Sequence, residues 1–337
     1  MSKKYNVCVL GATGMVGKEM IKVLEERNFP VNKFLPLASE RTAGSKVKFQ
    51  GKEYTVGEAT PESFEGMEIG LFSAGAKISK IFAPEAAKRN CVVIDNTSHF
   101  RMDPEVPLVV PEVNPQAIKR HKGIIANPNC STAQMVLPLK PIYDAVGIER
   151  IVVSTYQSTS GWGKEAVAEM FEQAKALIAD PYAKITAKYI FKQIAFNLVP
   201  QIDAFTDNGY TKEEIKMVNE TRKIFEDENI QISATCVRVP VAIGHSESVN
   251  IKTKKKISVA EVRKLIAGFP TCVVLDDPAK GEYPTPVECA GKNETFVGRI
   301  REDISQANGL DMWIVSDNLR RGAALNAVLI AEKVIGI

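Results

Sequence analysis

The sequence lacks several features, and these absences narrow its function before any motif is considered. No apolar run approaches the ~20 residues of a membrane-spanning helix, and the apolar segment near the start is interrupted by Gly11. The 43 Lys and Arg nearly balance the 40 Asp and Glu, for a formal net charge of +3. That balance does not indicate a nucleic-acid or membrane partner. We therefore expect neither a signal peptide nor a membrane anchor.

Metal-binding and disulfide patterns are also missing. The six cysteines are widely spaced, no Cys-x-x-Cys is present, and the chain has only three histidines. This spacing argues against zinc and against a disulfide framework, so we expect no metal and a reducing, cytoplasmic location. The apolar fraction of 45% and the charged fraction of 25% are ordinary for a globular protein, and 337 residues suggest about two domains.

The chain begins with a pattern typical of nucleotide-binding domains. Tyr5 to Leu10 is predicted as a strand, the glycine segment 11–17 follows directly, and Met15 to Arg27 has helical spacing. In this context glycines let the backbone approach a pyrophosphate, which rests against the helix N-terminus. The spacing is G-x-x-G-x-x-G and not the commoner G-x-G-x-x-G. A tight turn without a ligand is the alternative.

A second predicted strand, residues 34–38, ends at a segment suited to the ribose of a cofactor. NAD enzymes place an acidic residue there to bind the ribose 2′-hydroxyl, whereas an arginine suits the 2′-phosphate of NADP. Ser39, Arg41 and Thr42 therefore favour NADP, and Glu40 is expected to face solvent.

The order of the predicted elements indicates an α/β protein with two domains. Strands at 69–73 and 91–96, with a helix at 79–89 between them, predict a Rossmann-like, doubly wound parallel sheet. After residue 130, strands are predicted at 151–156, 231–241, 246–252, 272–275 and 312–315, among helices at 167–178, 212–225 and 259–267. This pattern predicts an α+β domain with a mostly antiparallel sheet. We place the nucleotide-binding domain at 1–129, completed by a C-terminal helix within 318–337, and the second domain at 130–317.

Cys130 is the candidate nucleophile. It follows Asn127-Pro128-Asn129, which ends a short strand, and it precedes a helix that Asn129 or Ser131 is able to cap. A helix N-terminus favours a thiolate and offers N–H groups to an oxyanion. Most free cysteines are buried core residues. The polar residues on both sides of this one favour a nucleophile.

His245 is the candidate base among the three histidines. His121 lies in a basic, surface-like run, and His99 is a less certain site residue. A histidine satisfied within a core is the alternative for His245. Arg101, in a polar loop at a strand end, is suited to an anion, and a surface arginine is its alternative.

Several motifs together make the chain similar to one enzyme family. The matching segments are Gly11-Ala12-Thr13-Gly14-Met15-Val16-Gly17, Phe100-Arg101-Met102, Asn127-Pro128-Asn129-Cys130-Ser131-Thr132, Gln157-Ser158-Thr159-Ser160-Gly161, Glu213-Glu214-Ile215-Lys216, Val237-Arg238-Val239-Pro240 and Gly244-His245-Ser246. In this order they resemble the aspartate-β-semialdehyde dehydrogenases. The resemblance is greatest to the shorter branch common in Gram-positive bacteria and some archaea and fungi.

The resemblance implies an activity and an assembly. The activity is NADPH-dependent reductive dephosphorylation of L-aspartyl-4-phosphate to aspartate semialdehyde and phosphate, which leads to lysine, methionine, threonine and isoleucine. The chemistry expected of these residues agrees, because a cysteine thioester divides the reduction into two easier steps, thioester formation and hydride transfer. The second domain is implied to be catalytic and to form a homodimer or homotetramer.

The resemblance also implies individual roles. Cys130 is the nucleophile, His245 the general acid/base, and Gln157 orients the acyl-enzyme. Arg238 binds the α-carboxylate of the substrate and Glu213 its amino group, Arg101 and Lys216 hold phosphate, and Asn129 belongs to the same substrate site. The implied NADP contacts are Gly11, Thr13, Gly14, Met15, Val16, Ser39, Arg41, Thr42, Ser160, Gly161 and Asn318.

Two kinds of alternative stay open from the sequence. N-acetylglutamyl-phosphate reductases and glyceraldehyde-phosphate dehydrogenases share the cysteine, the histidine and the nucleotide domain. Their substrates lack a free α-amino group, so Glu213 would have no partner. The other alternative is an NADP-binding sensor or scaffold in which Cys130 is structural.

Overall fold

The computed structural model describes residues 3–337, which form two compact units. The first comprises the chain up to Asn129 together with Gly322–Ile337, and the second comprises Cys130–Arg321. The chain therefore returns to the first unit at its end. The return lies at Gly322 and not at the predicted residue 318, because residues 318–321 pack with the second unit.

The elements follow one another in this order. The first unit contains β1 (Tyr5–Leu10), α1 (Met15–Glu26), β2 (Val31–Ala38), β3 (Lys46–Phe49), β4 (Lys52–Thr55), β5 (Gly57–Glu58), β6 (Ile69–Phe72), α2 (Ala76–Lys88), β7 (Val92–Asp95) and β8 (Ile124–Ala126). The second contains α3 (Cys130–Val146), β9 (Ile148–Gln157), α4 (Lys164–Ala179), α5 (Lys212–Phe225), β10 (Gln231–Arg238), β11 (His245–Thr253), α6 (Val259–Ala267), β12 (Cys272–Val274), α7 (Pro286–Cys289), β13 (Thr295–Glu302) and β14 (Gly309–Ser316). A π-helical turn, Arg320–Ala324, leads into α8 (Leu325–Ile335) in the first unit.

The first unit is built on a parallel six-stranded sheet. Its strand order is β5-β2-β1-β6-β7-β8, and every neighbouring pair is parallel. Strands β1, β6 and β7 are short apolar runs that are buried along most of their length, as strands covered on both faces must be. Helices α1 and α8 contribute to the same hydrophobic core. The Rossmann-like, doubly wound prediction is confirmed.

The second unit contains a mixed six-stranded sheet of order β10-β9-β11-β14-β13-β12. The three pairings of β11 with β9, β11 with β14 and β13 with β14 are antiparallel, and those of β10 with β9 and β12 with β13 are parallel. The mostly antiparallel prediction is confirmed. Because β9 and β10 are parallel, their carboxyl ends lie side by side.

Five short or weakly patterned elements were not predicted: β3, β4, β5, α7 and β13. Strand β13 contains Gly298 and three charged residues, which hide its apolar positions. The β3–β4 hairpin has four residues in each strand and several lysines. Strand β10 was predicted to Val241 but ends at Arg238, just before Val239-Pro240, where proline has no N–H to continue the ladder. Within residues 3–337 no helix is long and apolar enough to span a membrane.

An ion pair fixes α8 against α1 in the first unit. The Arg27 guanidinium donates to both carboxylate oxygens of Glu332, with Nε–Oε1 at 2.5 Å and Nη2–Oε2 at 2.7 Å. The Arg27 side chain is 35% exposed and that of Glu332 only 9%. Loss of Arg27 therefore leaves a desolvated carboxylate, whereas loss of Glu332 leaves a guanidinium that reaches water.

We predict that Arg27→Met lowers the free energy of unfolding by about 1–3 kcal/mol, and more than Glu332→Gln does. Lys88→Met is the control, because the exposed pair of Lys88 with Glu85 should contribute well under ~1 kcal/mol. Urea denaturation of the three variants measures this. An equal effect of Arg27→Met and Lys88→Met would contradict the prediction.

Candidate active site

The ends of three adjacent strands bring together three of the predicted site residues. Arg238, the last residue of β10, pairs in register with Gln157, the last residue of β9. His245 begins β11 on the other side of β9, one position before the Ser246–Tyr156 pair. All three side chains are buried, with Gln157, Arg238 and His245 at 1%, 3% and 0% exposure. The register of the sheet thus sets them in a row.

Cys130 is the first residue of α3 and the one cysteine of six that is not buried. One helical turn later, Gln134 Nε2 donates to the carbonyl oxygen of His245 at 3.4 Å, and Gln134 Oε1 accepts from the Ser316 hydroxyl at 2.7 Å. Residues four apart lie on the same helix face. The helix that begins with Cys130 is therefore anchored to β11 beside His245, with its first N–H groups at the thiol.

The His245 imidazole is held by a set of hydroxyl and amide groups. Its Nδ1 accepts from the Ser158 backbone N–H at 3.0 Å and lies 3.0 Å from Ser158 Oγ. Its Nε2 is buried without a hydrogen-bond partner in the described part of the chain. Burial, aided by the positive charge of Arg238, lowers the pKa of His245 to about 3. The ring is therefore neutral near pH 7.

Asn318 lies behind this imidazole. Its Oδ1 accepts from the Gly244 backbone N–H at 2.9 Å and from the hydroxyls of Ser158 and Ser160 at 3.0 and 3.2 Å. Its Nδ2 donates to Ser160 Oγ at 3.0 Å. The structure thus places the predicted cofactor residues Ser160 and Asn318 in the network that supports His245.

Gly161 lies directly against the site. A Cβ at this position would be 3.0 Å from Arg238 Nη1 and 3.2 Å from His245 Nε2. Arg238 Nη1 also donates to the Ser158 carbonyl at 2.7 Å, and burial lowers the pKa of the guanidinium. The missing side chain of Gly161 leaves room beside both groups.

A second row of charges extends from Gln157. Its Nε2 donates to Glu213 Oε1 at 3.1 Å, and Lys216 Nζ contacts Glu213 Oε2 at 3.1 Å and Asp203 Oδ2 at 3.0 Å. Burial alone would lower the pKa of Lys216, but the two carboxylates raise it. Glu213 and Lys216 belong to one helix, α5, one turn apart. The predicted substrate residues of the second unit therefore form a connected cluster.

The remaining predicted residues belong to the first unit. Arg101 is buried, and it donates through Nε to the Asn127 carbonyl and through Nη2 to the Asn96 carbonyl, both at 2.9 Å. Asn129 is also buried and directly precedes Cys130 in the chain. From α8, Asn326 Nδ2 donates to Asn127 Oδ1 at 2.6 Å, so the C-terminal helix supports the segment that holds Arg101.

A cavity of about 570 Å³ lies at the carboxyl edge of the parallel sheet. Six predicted cofactor residues line it: Gly11, Thr13, Gly14, Ser39, Arg41 and Thr42. Gly11 has φ +91°, and a Cβ there would lie 2.9 Å from the Ser73 backbone. Met15 and Val16 begin α1 just after this turn. A concave surface, a closely approaching backbone and the start of a helix together suit a dinucleotide phosphate. Among the described residues there is no cluster that could bind a metal ion.

Sequence reasoning missed several residues of the site. Ser158 and Gln134 support His245, and Asp203 pairs with Lys216. Ser158 lies within the family-like segment Gln157-Ser158-Thr159-Ser160-Gly161. Asp203 lies in an irregular stretch where no sequence pattern indicates a site residue. Glu247, two positions after His245 on β11, is fully buried, and burial raises its pKa well above the ordinary value. Period-two alternation places it on the same face as His245.

Two family models match the chain. One, described as Semialdehyde dehydrogenase, NAD binding domain, matches residues 6–121, and the other, described as Semialdehyde dehydrogenase, dimerisation domain, matches residues 139–321. The aspartate-semialdehyde dehydrogenase of Aquifex aeolicus is 55% identical over 334 residues, which is 98% of each chain. The chain belongs to the aspartate-semialdehyde dehydrogenase family.

Solved structures of family members agree. The crystal structure of aspartate semialdehyde dehydrogenase II complexed with ASA from Vibrio cholerae has a TM-score of 0.96 and 49% identity, covering 99% of each chain. The aspartate semialdehyde dehydrogenase with NADP from Candida albicans has a TM-score of 0.76 and 27% identity, covering 98% of each. The predicted family and activity are confirmed. The chain is an aspartate-semialdehyde dehydrogenase-type oxidoreductase with a nicotinamide cofactor, a small-molecule substrate and a dimerisation domain.

We predict that Gly161→Ala lowers kcat/KM by roughly tenfold to a hundredfold while the melting temperature stays within a few degrees. The added methyl group would displace Arg238 or His245 by a few tenths of an ångström. Gly268→Ala, at the exposed end of α6, is the control and should leave kinetics unchanged. Wild-type kinetics for Gly161→Ala would show that the space beside Arg238 and His245 is not needed for catalysis.

Proposed function

We propose that the chain reduces L-aspartyl-4-phosphate with NADPH to L-aspartate-4-semialdehyde and phosphate through a thioester on Cys130. The row of Gln157, Arg238 and His245 at the strand ends, with the Cys130 helix anchored beside it, is the observation that supports this. Cys130 sulfur attacks the acyl carbon, the bond from carbon to the phosphate oxygen breaks, and phosphate leaves. Bound NADPH supplies the hydride that reduces the thioester.

The protein's part is to bind and orient the amino acid. Arg238 is buried, and its planar guanidinium is suited to bind the α-carboxylate with two parallel hydrogen bonds. Glu213 is the partner for the α-amino group, and this separates the proposal from substrates whose amino group is acylated. Gln157, hydrogen-bonded to Glu213, orients the acyl group. His245 acts on the carbonyl oxygen as the acid/base group.

The phosphate has its own group of residues in the proposal. Arg101 and Lys216 carry the positive charges, and Asn129 lies next to Cys130 in the chain. Lys216 already contacts two carboxylates, so its charge is retained in the absence of phosphate. The second unit, matched as a dimerisation domain, would carry the contacts of a homodimer or homotetramer in the cytoplasm.

NADP is the proposed form of the cofactor. Arg41 and Thr42 line the cavity at the end of β2, and the Arg41 side chain is exposed there. Thr42 Oγ1 lies 3.3 Å from Thr13 Oγ1. The 2′-phosphate is an anion that a guanidinium binds well. Ser160, Gly161 and Asn318 are proposed to serve the cofactor from the second unit.

The first test uses the reverse reaction. Purified protein should reduce NADP+ when aspartate semialdehyde and phosphate are both present, and not when either is omitted. Cys130→Ala should lose at least ~10³-fold in kcat and resist iodoacetamide labelling, because the other five cysteines are buried. Cys289→Ala is the matched control and should stay active. An active Cys130→Ala variant would refute the thioester.

The second test concerns cofactor choice. Arg41→Ala should raise the KM for NADP+ roughly tenfold or more, because a charge-assisted contact is worth ~1.5–3 kcal/mol, and should leave the KM for NAD+ nearly unchanged. Glu40→Gln, the neighbouring substitution, should change NADP+ kinetics far less. Equal losses with both cofactors would make Arg41 structural.

A further inference from the structure

The ammonium group of Lys216 is shared between two carboxylates that differ in their access to water. Its Nζ lies 3.0 Å from Asp203 Oδ2 and 3.1 Å from Glu213 Oε2. The Glu213 side chain is only 7% exposed, and its Oε1 accepts from Gln157 Nε2. The Asp203 side chain is 34% exposed. Because water is able to replace Lys216 at Asp203, this carboxylate gives up the lysine at the lower cost.

The local backbone directs the Asp203 carboxylate toward Lys216. Asp203 has φ +67°, in the left-handed region that Asp and Asn adopt more readily than most other residues. Its Oδ1 accepts from the Ala204 backbone N–H at 2.8 Å, and its Oδ2 contacts the lysine. Burial opposes the charge of Asp203, but the Ala204 N–H and Lys216 together lower the pKa of its carboxyl group. The side chain is therefore a carboxylate near pH 7.

The charges of this cluster do not favour a further anion. One lysine and two carboxylates have an excess of one negative charge. In the proposed complex the α-amino group of the substrate offsets the charge of Glu213. Asp203 then competes with phosphate for Lys216, and two anions that share one cation repel each other.

We propose that Asp203 is a positioning residue that limits the affinity of the site for inorganic phosphate, because phosphate must compete with it for Lys216. This rests on the proposed function, in which Lys216 binds phosphate and phosphate is a product. A weak contact with phosphate favours its release after the thioester has formed. The acyl phosphate substrate depends less on that contact, since its α-carboxylate and α-amino group are bound as well.

The variant Asp203→Asn tests this inference. Asparagine suits the left-handed backbone and keeps an oxygen for the Ala204 N–H, so the change removes little besides the charge. Burial lowers the pKa of Lys216, and the charge of Glu213, which remains, is the largest of the contributions that raise it. Lys216 therefore stays protonated in the variant.

The readout is the rate of NADP+ reduction with aspartate semialdehyde at varied concentrations of inorganic phosphate. Asp203→Asn should lower the KM for phosphate by roughly threefold to tenfold, because a partly exposed like charge is removed. The KM values for aspartate semialdehyde and NADP+ should stay near those of the unmodified enzyme. The gain should decrease at high ionic strength, since salt screens a partly exposed charge.

Two further variants separate this effect from a general change of charge or structure. Asp207→Asn removes the same charge from an exposed position four residues away, and it should leave the KM for phosphate unchanged. In a Lys216→Met background, Asp203→Asn should no longer change the KM for phosphate, because the two residues act as one pair. A structural role for Asp203 predicts instead a higher KM for phosphate and a lower melting temperature.

The outcomes distinguish this inference from the proposed function. Unmodified enzyme that does not reduce NADP+ with aspartate semialdehyde and phosphate would refute the proposed function. If the unmodified enzyme is active, an equal or higher KM for phosphate in Asp203→Asn would overturn the role of Asp203 alone. A lower KM that persists in the Lys216→Met background would also overturn it, because Asp203 would then not act through the lysine.

Discussion

The register of β9 with its two neighbours is the constraint on which the active site depends. One parallel and one antiparallel partner place Arg238 and His245 on either side of Gln157 at the same end of the sheet. A slip of one residue in either pairing would turn that strand's side chains to the other face. The apolar residues lower in these strands, such as Val153, Val249 and Ile251, hold the register by their burial. Core packing and catalytic geometry therefore have the same cause.

Buried ionisable groups on β11 make this arrangement sensitive to pH in both directions. The pKa of His245 is lowered below its unfolded value, ~6.5, so its contribution to stability is present above that pH and is lost as pH falls toward about 3. The pKa of Glu247 is raised above its unfolded value, ~4.3, so its contribution is present below that pH and is lost as pH rises. His245 thus limits stability at low pH, and Glu247 limits it at high pH.

The sequence predicted the parts of the site that have a local cause. A cysteine at a helix start and glycines between a strand and a helix are visible in a few consecutive residues, and α3 and the Gly11 turn show them as expected. The contacts between distant segments were not visible. Gln134 reaches β11 across 111 positions, and Ser158 reaches Asn318 across 160. Such pairs depend on the order of the strands in the sheet. That order includes β13, whose alternation of apolar and polar residues is too weak for the strand to be predicted from sequence.

The neighbourhood of Arg238 and His245 links substrate binding to the chemistry. A buried guanidinium beside a buried imidazole is costly when both are charged, so Arg238 helps to keep His245 neutral in the free enzyme. In the proposed complex the α-carboxylate of the substrate offsets that positive charge. Burial and the hydrogen bond from the Ser158 N–H to Nδ1 do not depend on the substrate, so both remain. A hydrogen bond from a backbone group is present whether or not substrate is bound, so the end of β9 holds the imidazole in place in both states.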